Sequence, residues 1–351
     1  MSPLLALPHR RSHGMCVLNG IRDLVHWRTG QDWSNEFLFG LGQGGGFAYL
    51  RIKVADPPRQ VYWGNAPTRQ HEYLANLLGA DHAAIENRSF KFAWGQACQA
   101  LEAGSPPILG PLDMFYLPYY PHLYRQRHIP IHYILLVGYD ERNAYVHDTD
   151  QDEVQTVPLD ELELAWDVNV PAMGKRNRLM RMDVPAQLPP TGTLIRKAVA
   201  DQCQTMLRPP VKMLGVPAME RVTGEIARWP AELGDEVAAA CLRQVREYLN
   251  SPPDLSGDHL TAGRDRYIAF LQEAEPLASL DFAGAVALLR ESMATIPLLH
   301  QAIVQGDLEQ AAAAMRRIAE VEARAYTTLA QAVGNGQPPD QTEIKKEEQQ
   351  K

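Results

Sequence analysis

Cysteine is scarce in this chain, with four among 351 residues. Cys16, Cys98, Cys203 and Cys241 stand far apart and form no Cys-x-x-Cys pair. That spacing excludes a disulfide framework and a cysteine-ligated zinc cluster as organising elements. Each thiol is therefore weighed alone. Long apolar runs are also missing: no stretch approaches the roughly 20 apolar residues of a membrane span. At the N-terminus Arg10 and Arg11 follow the short run Leu4 to Leu7, the reverse of a secretory signal. The expectation is a soluble, cytoplasmic protein. A basic excess is absent too, since Lys and Arg number 34 against 42 Asp and Glu, a formal charge of -8. Phosphate binding needs a basic face, so nucleic acid is not expected as the main partner.

Two local clusters interrupt the acidic background. One is Lys175, Arg176, Arg178 and Arg181; the smaller is Arg125, Arg127 and His128. The first cluster also reads as a solvated strand edge.

What is present suits a globular chain, with 45% hydrophobic and 22% charged residues. The length predicts two domains. Pro185, Pro189 and Pro190, followed by Thr191, Gly192 and Thr193, mark the boundary, because clustered prolines deny both helix and central strand. The expected organisation is a first domain over 1–185, a helical domain over 194–333 and a disordered tail over 334–351, rich in Gly, Pro, Gln, Lys and Glu.

In the first domain, Val17, Leu18, Ile21, Leu24 and Val25 have helical spacing, so Cys16 stands at a helix start. Further helices are expected near 33–38, 68–79 and 90–103. A strand is expected over 47–54 after the glycine run Gly40 to Gly46. From residue 107 the period changes to short strands, at 107–109, 114–117, 132–139, 144–148, 154–157 and 179–184. Asp140 to Asn143 reads as a hairpin loop, and a helical turn starts near Leu159. Beyond the prolines the apolar residues recur every fourth position in Val237, Cys241, Val245 and Leu249, and Asp307 with Gln310 reads as a capping box.

A thiol in the first turn of a helix lies at the positive end of the helix dipole, which favours thiolate. That makes Cys16 the candidate nucleophile, whereas Cys98, Cys203 and Cys241 fall inside amphipathic helices and read as small buried hydrophobes. His132 opens an otherwise apolar strand, an odd place for a histidine without a task. Asp148 on the next strand orients that imidazole if the hairpin register puts both on one face, with Asp150 and Asp140 as competitors. The glycine run lacks the Lys and Ser/Thr of a phosphate loop and precedes a strand, so Gly42 and Gly44 read as glycines that let the backbone approach an active-site wall. Asp113, Tyr116 and Tyr119, in the aromatic segment before His132, are candidate substrate-channel residues. His128 and His132 are spaced as ligands on a helix, but Pro130 lies between them, and no metal site is expected.

These residues resemble the butirosin-biosynthesis H-type acyltransferases. The resemblance rests on His13-Gly-Met-Cys16, Phe39 to Tyr49 with its glycine run, Asp113-Met-Phe-Tyr-Leu-Pro-Tyr119, His132 with Val137-Gly-Tyr-Asp140, His147-Asp148-Thr149, and Gly263 to Ala274 in the second domain. Met15 stands where that family often has histidine, and His13 lies further upstream. The resemblance implies an α+β, papain-like cysteine-peptidase fold followed by an all-α helical domain. It also implies transfer of an acyl group from a carrier-protein thioester, through an acyl-cysteine, to an amine or other small-molecule acceptor in specialised-metabolite assembly. Cys16, His132 and Asp148 would be catalytic, with His13 among the substrate residues. No cofactor of the enzyme's own is implied, because phosphopantetheine arrives on the acyl carrier protein. Lys175, Arg176, Arg178 and Arg181 are then the candidate landing site for that acidic partner. A chain-releasing cyclase or thioesterase, a cysteine peptidase or amidase, and an inactive carrier-binding module are the alternatives.

Overall fold

The computed structural model describes residues 4–12, 14–251 and 256–334. His13 and the tail from residue 335 lie outside the described residues. In chain order the elements are α1 (Cys16–Thr29), α2 (Asn35–Leu41), β1 (Phe47–Arg51), β2 (Arg59–Trp63), α3 (Pro67–Leu78), β3 (Asp81–Ile85) and α4 (Phe90–Glu102). There follow β4 (Ile108–Leu112), β5 (His132–Tyr139), β6 (Asn143–His147), β7 (Gln155–Pro158), α5 (Leu159–Trp166) and β8 (Leu179–Asp183). The rest is helical: α6 (Thr191–Leu207), α7 (Gly215–Glu225), α8 (Trp229–Leu233), α9 (Asp235–Leu249), α10 (Arg264–Ala278), α11 (Ala283–Gln305) and α12 (Leu308–Gly334).

The chain forms two compact units, Met1–Gly44 with Asn65–Pro190, and Gly45–Gly64 with Thr191 onward. In the first unit an antiparallel sheet of six strands runs in the order β3-β8-β4-β5-β6-β7. Strand β5 is its apolar centre, buried from His132 to Gly138. On one side Ile134, Leu136, Ala144 and Val146 pack with Ala93, Ala97 and Leu101 of α4 and with Leu162, Ala165 and Trp166 of α5. Helix α1 buries Leu18, Ile21, Leu24 and Val25. Gly20 allows its close approach, because a Cβ there would lie 2.8 Å from Ile108 Cγ1 and 3.4 Å from Leu135 Cβ. The helix ends at Gly30, in the left-handed region (φ 74°), whose N–H bonds to His26 O at 2.9 Å. A cysteine-bearing helix packed on an antiparallel sheet, followed by a helical region, is the expected α+β architecture.

The expected hairpin loop is present, with Asp140 Oδ1 accepting from Arg142 N at 2.7 Å and Asn143 N at 2.8 Å. Residues 114–117, expected as strand, instead form a 3-10 turn, because the Asp113 carboxylate accepts from Phe115 N at 3.1 Å and caps it. Strand β3 was not expected. It is a sheet-edge strand with largely exposed residues, and so carries no apolar alternation.

The second unit corrects two expectations: the first domain is not the contiguous block 1–185, and the helical domain is not purely helical. The β1–β2 hairpin belongs with the helices, and specific polar contacts hold it there. Gln244 of α9 closes two 2.8 Å bonds with the Val61 backbone, acting as a short strand edge. Tyr49 donates to Glu225 at 2.6 Å. Gly45 and Gly46 serve the same packing, since Tyr326 donates to Gly45 O at 2.6 Å and a Cβ at Gly45 would lie 2.7 Å from that hydroxyl. Arg264 and Glu322, both fully buried, pair through two 2.8 Å contacts, with Ser292 on the carboxylate and Trp63 beneath the guanidinium. Asp307 caps α12 by accepting from Gln310 N at 2.9 Å.

Candidate active site

Cys16 is the first residue of α1, preceded by Met15 in the left-handed region (φ 58°). A non-glycine residue there is unusual and turns the chain sharply into the helix. The thiol is half-buried, and its Sγ lies 3.8 Å from Ile131 O, at the entry to β5. The next residue, His132, is buried and places Nε2 2.6 Å from Asp148 Oδ2. The register explains the pairing. Leu135 lies opposite His147 in an antiparallel ladder, so residue 148 falls opposite 134 and shares the face of 132.

Asp148 is fully buried, and every partner around it donates. Besides His132, Tyr119 donates to Oδ2 and Tyr120 to Oδ1, each at 2.7 Å, and the Asp150 N–H lies 3.2 Å from Oδ1. Burial alone would raise the carboxyl pKa, but the His132 charge and these hydrogen bonds outweigh it and hold it below the usual value. Burial likewise opposes the imidazolium of His132. The charges of Asp148 and Cys16, and hydrogen bonds to both, prevail and raise its pKa well above the ordinary one. With Nε2 bonded to the carboxylate, Nδ1 is the ring nitrogen left for the sulfur.

The other thiols differ. Burial pushes Cys98 up to about 11 and Cys203 up to about 12, and raises Cys241 as well. Such thiols are poor nucleophiles at neutral pH.

Among the candidate channel residues that are described, only Tyr119 joins the group around Asp148. Asp113 is committed to bracing the loop before β5, accepting from His128 Nδ1 at 2.6 Å and Ile129 N at 2.8 Å as well as from Phe115. Tyr116 packs on Phe115 and beneath the Arg125 guanidinium. Gly42 and Gly44 answer to local packing: a Cβ would lie 2.7 Å from the Gln70 side chain at the first and 2.5 Å from the Phe39 ring at the second.

The basic cluster is neutralised where it stands. Lys175 pairs with Glu86, Arg176 with Asp167, and Arg181 with Asp81 and Asp183. Arg178 is buried against Glu86 at 3.8 Å and offers no surface for a partner, which corrects the expectation for that residue.

Sequence reasoning passed over Tyr120 and His71. Tyr120 reaches Asp148, Asp150 at 3.1 Å and His132 Nε2 at 3.4 Å, and its only signal was adjacency to Tyr119. His71 on α3 donates from Nε2 to Val17 O at 2.8 Å, one residue after the thiol. Burial first, with the Arg178 charge, depresses it to about 4, so it is a neutral brace for the start of α1. Nothing in the local sequence marks it.

Residues 15–149 match the family described as butirosin biosynthesis protein H, N-terminal. Residues 160–252 match a domain of unknown function, DUF4872. No curated protein matches the chain. Among solved structures, one described as a C39-like peptidase from Bacillus anthracis aligns at 14% identity and a TM-score of 0.35, over 52% of this chain and 97% of that one.

Proposed function

We propose, from the match of residues 15–149 to the family of the butirosin biosynthesis protein H N-terminal domain, that the chain is an acyltransferase acting through an acyl-cysteine on Cys16. The observation that carries the reading is the buried His132–Asp148 pair beside a thiol at a helix start. The donor is the pantetheine thioester of an acyl carrier protein and the acceptor an amine or another small nucleophile.

In the first half-reaction Cys16 Sγ attacks the thioester carbonyl carbon, and negative charge gathers on its oxygen. The donors for that oxyanion are the Cys16 and Val17 N–H groups of the first turn, since the Leu18 N–H is bonded to Met15 O at 2.8 Å. The carbon–sulfur bond to pantetheine breaks and the departing thiol takes the His132 proton. In the second half-reaction the acceptor attacks the acyl-cysteine, His132 takes the acceptor's proton, and Cys16 leaves as thiolate. Asp148 stays ionised throughout and holds the imidazole in position.

The test is intact mass spectrometry after incubation with an acyl-pantetheine or acyl-carrier donor. A mass increment equal to the acyl group, absent in Cys16→Ala, is expected, and a candidate amine should discharge it as the amide. No increment, or one that persists in Cys16→Ala, overturns the reading. Discharge to free acid or to a cyclised product without added amine assigns the same thiol to chain release.

A further inference from the structure

On the reading that Cys16 attacks a carbonyl carbon, we propose that Thr149 is a positioning residue, whose hydroxyl fixes the backbone turn that aims the oxyanion donors beside the thiol. In the motif His147-Asp148-Thr149 the middle residue is given to His132, whereas the last, 1% exposed, turns to the segment before α1. Thr149 Oγ1 donates to Ser12 O at 2.5 Å, with Gly14 O beside it at 3.1 Å, and the Thr149 carbonyl accepts from Ser12 N at 2.7 Å. From α2, Asn35 Nδ2 anchors the same segment by donating to Ser12 Oγ at 2.8 Å.

That segment needs holding. Gly14 and Met15 stand in succession in the left-handed region, at φ 70° and 58°. Glycine adopts this conformation freely, but for Met15 it is costly and persists only where the neighbours over-determine it. What the turn achieves lies in the next residues. A left-handed residue joined to a right-handed helical one directs successive N–H groups toward one concavity that takes an anion. Met15 followed by Cys16, the first residue of α1, is such a pair. The N–H groups it directs are those of Cys16 and Val17, the donors to the thioester oxyanion.

Without the hydroxyl, the Ser12 and Gly14 carbonyls lose their shared donor in a partly buried place and gain by turning toward water. Gly14 rotates most easily. The peptide between Gly14 and Met15 then turns, Met15 returns to an ordinary φ, and the Cys16 N–H leaves the oxyanion position. The transition state for attack on a carbonyl loses stabilisation. The His132–Asp148 pair remains, because the β5–β6 register sets it. Thr149 therefore joins two tasks in one stretch of chain: the residue before it orients the imidazole, and its own hydroxyl shapes the turn that opens the cysteine helix.

The test compares two reactions of Cys16 in the full chain, each followed by mass spectrometry of the Cys16 peptide. In the first, Sγ attacks the carbonyl carbon of p-nitrophenyl acetate, an oxyanion forms, and nitrophenolate departs to leave acetyl-cysteine. In the second, Sγ displaces iodide from the saturated carbon of iodoacetamide, and no oxyanion forms. Neither needs a carrier protein, so failure of the carrier assignment leaves the comparison intact. The ratio of acetylation to alkylation rate should fall at least about tenfold in Thr149→Val, against roughly 100-fold or more for outright loss of an oxyanion donor, and should return to within about threefold of wild type in Thr149→Ser. A smaller fall in Thr149→Val, an equal fall in both reactions, or a Thr149→Ser as impaired as Thr149→Val overturns the proposal. A wild-type chain that alkylates but takes up no acetyl group overturns it as well. If Thr149→Val does not fold, Thr149→Ala, which keeps the backbone bond to Ser12 and brings no methyl against the two carbonyls, decides. If neither folds, Thr149 serves the fold alone and the proposal falls.

Discussion

Asp148→Asn separates chemistry from stability at this site, because the surroundings of the carboxylate dictate which way the amide must lie. Asp150 N–H, 3.2 Å from Oδ1, is a backbone donor that cannot turn away. The asparagine oxygen must therefore take the Oδ1 position, where Tyr120 also donates at 2.7 Å. The NH2 group then occupies the Oδ2 position, 2.6 Å from His132 Nε2 and 2.7 Å from the Tyr119 hydroxyl. Tyr119 can rotate its proton away. His132 cannot donate to a donor, so it must accept at Nε2 and carry its proton on Nδ1, the nitrogen left for Cys16. An imidazole in that tautomer is no base toward sulfur or acceptor, and the expected loss is about 10⁴-fold in acyl-cysteine formation. At about 1.4 kcal/mol per decade this is about 5 kcal/mol of barrier. The fold loses a buried ion pair, about 3 kcal/mol or more. The assay is rapid-quench mass spectrometry of acylation, run well below the thermal midpoint of the variant, with ¹⁵N NMR of His132 reporting the protonated nitrogen. Acylation within tenfold of wild type, or a proton still on Nε2, would refute the tautomer argument.

Three further outcomes follow from the same geometry. His132 is raised above its ordinary 6.5, so the stability it contributes is complete below that pH and is lost as pH rises through the folded value; Asp148, lowered from 3.8, contributes above that pH and loses its share as pH falls through its own folded value. The advantage of wild type over His132→Gln in urea unfolding should therefore be greatest near about pH 5–6 and shrink as the solution is made alkaline; an advantage that grows with pH contradicts this. Arg178→Ala should lower stability by about 1–3 kcal/mol, as measured by denaturant midpoint, while Lys175→Glu leaves the midpoint nearly unchanged; the reverse order would show that the burial of Arg178 is misjudged. Glu322→Gln leaves Arg264 charged and buried, and should cost about 3–5 kcal/mol by calorimetry; a change under about 1 kcal/mol would mean that the pair adds little.

The sequence alone determined the features that depend on neighbours along the chain. Helical spacing after Cys16 placed the thiol at a helix start, an apolar run opened by His132 gave the central strand, and the prolines at 185–190 marked where the chain turns helical. Such features are legible because local hydrogen bonding and periodic burial leave their period in the sequence. Tertiary structure alone decided which distant groups meet. It set the register that puts Asp148 on the His132 face, brought Tyr120 onto the same carboxylate, and set His71 behind the first turn of α1. It gave Gly45, Gly46 and the β1–β2 hairpin to the helical unit, where Arg264 and Tyr326 bond to their carbonyls. It also gathered His9, Asp23 and His147, which are 14 and 124 residues apart, around one oxygen. Partners at such separations share no local pattern, because the contacts that join them arise only when helix and sheet pack against each other.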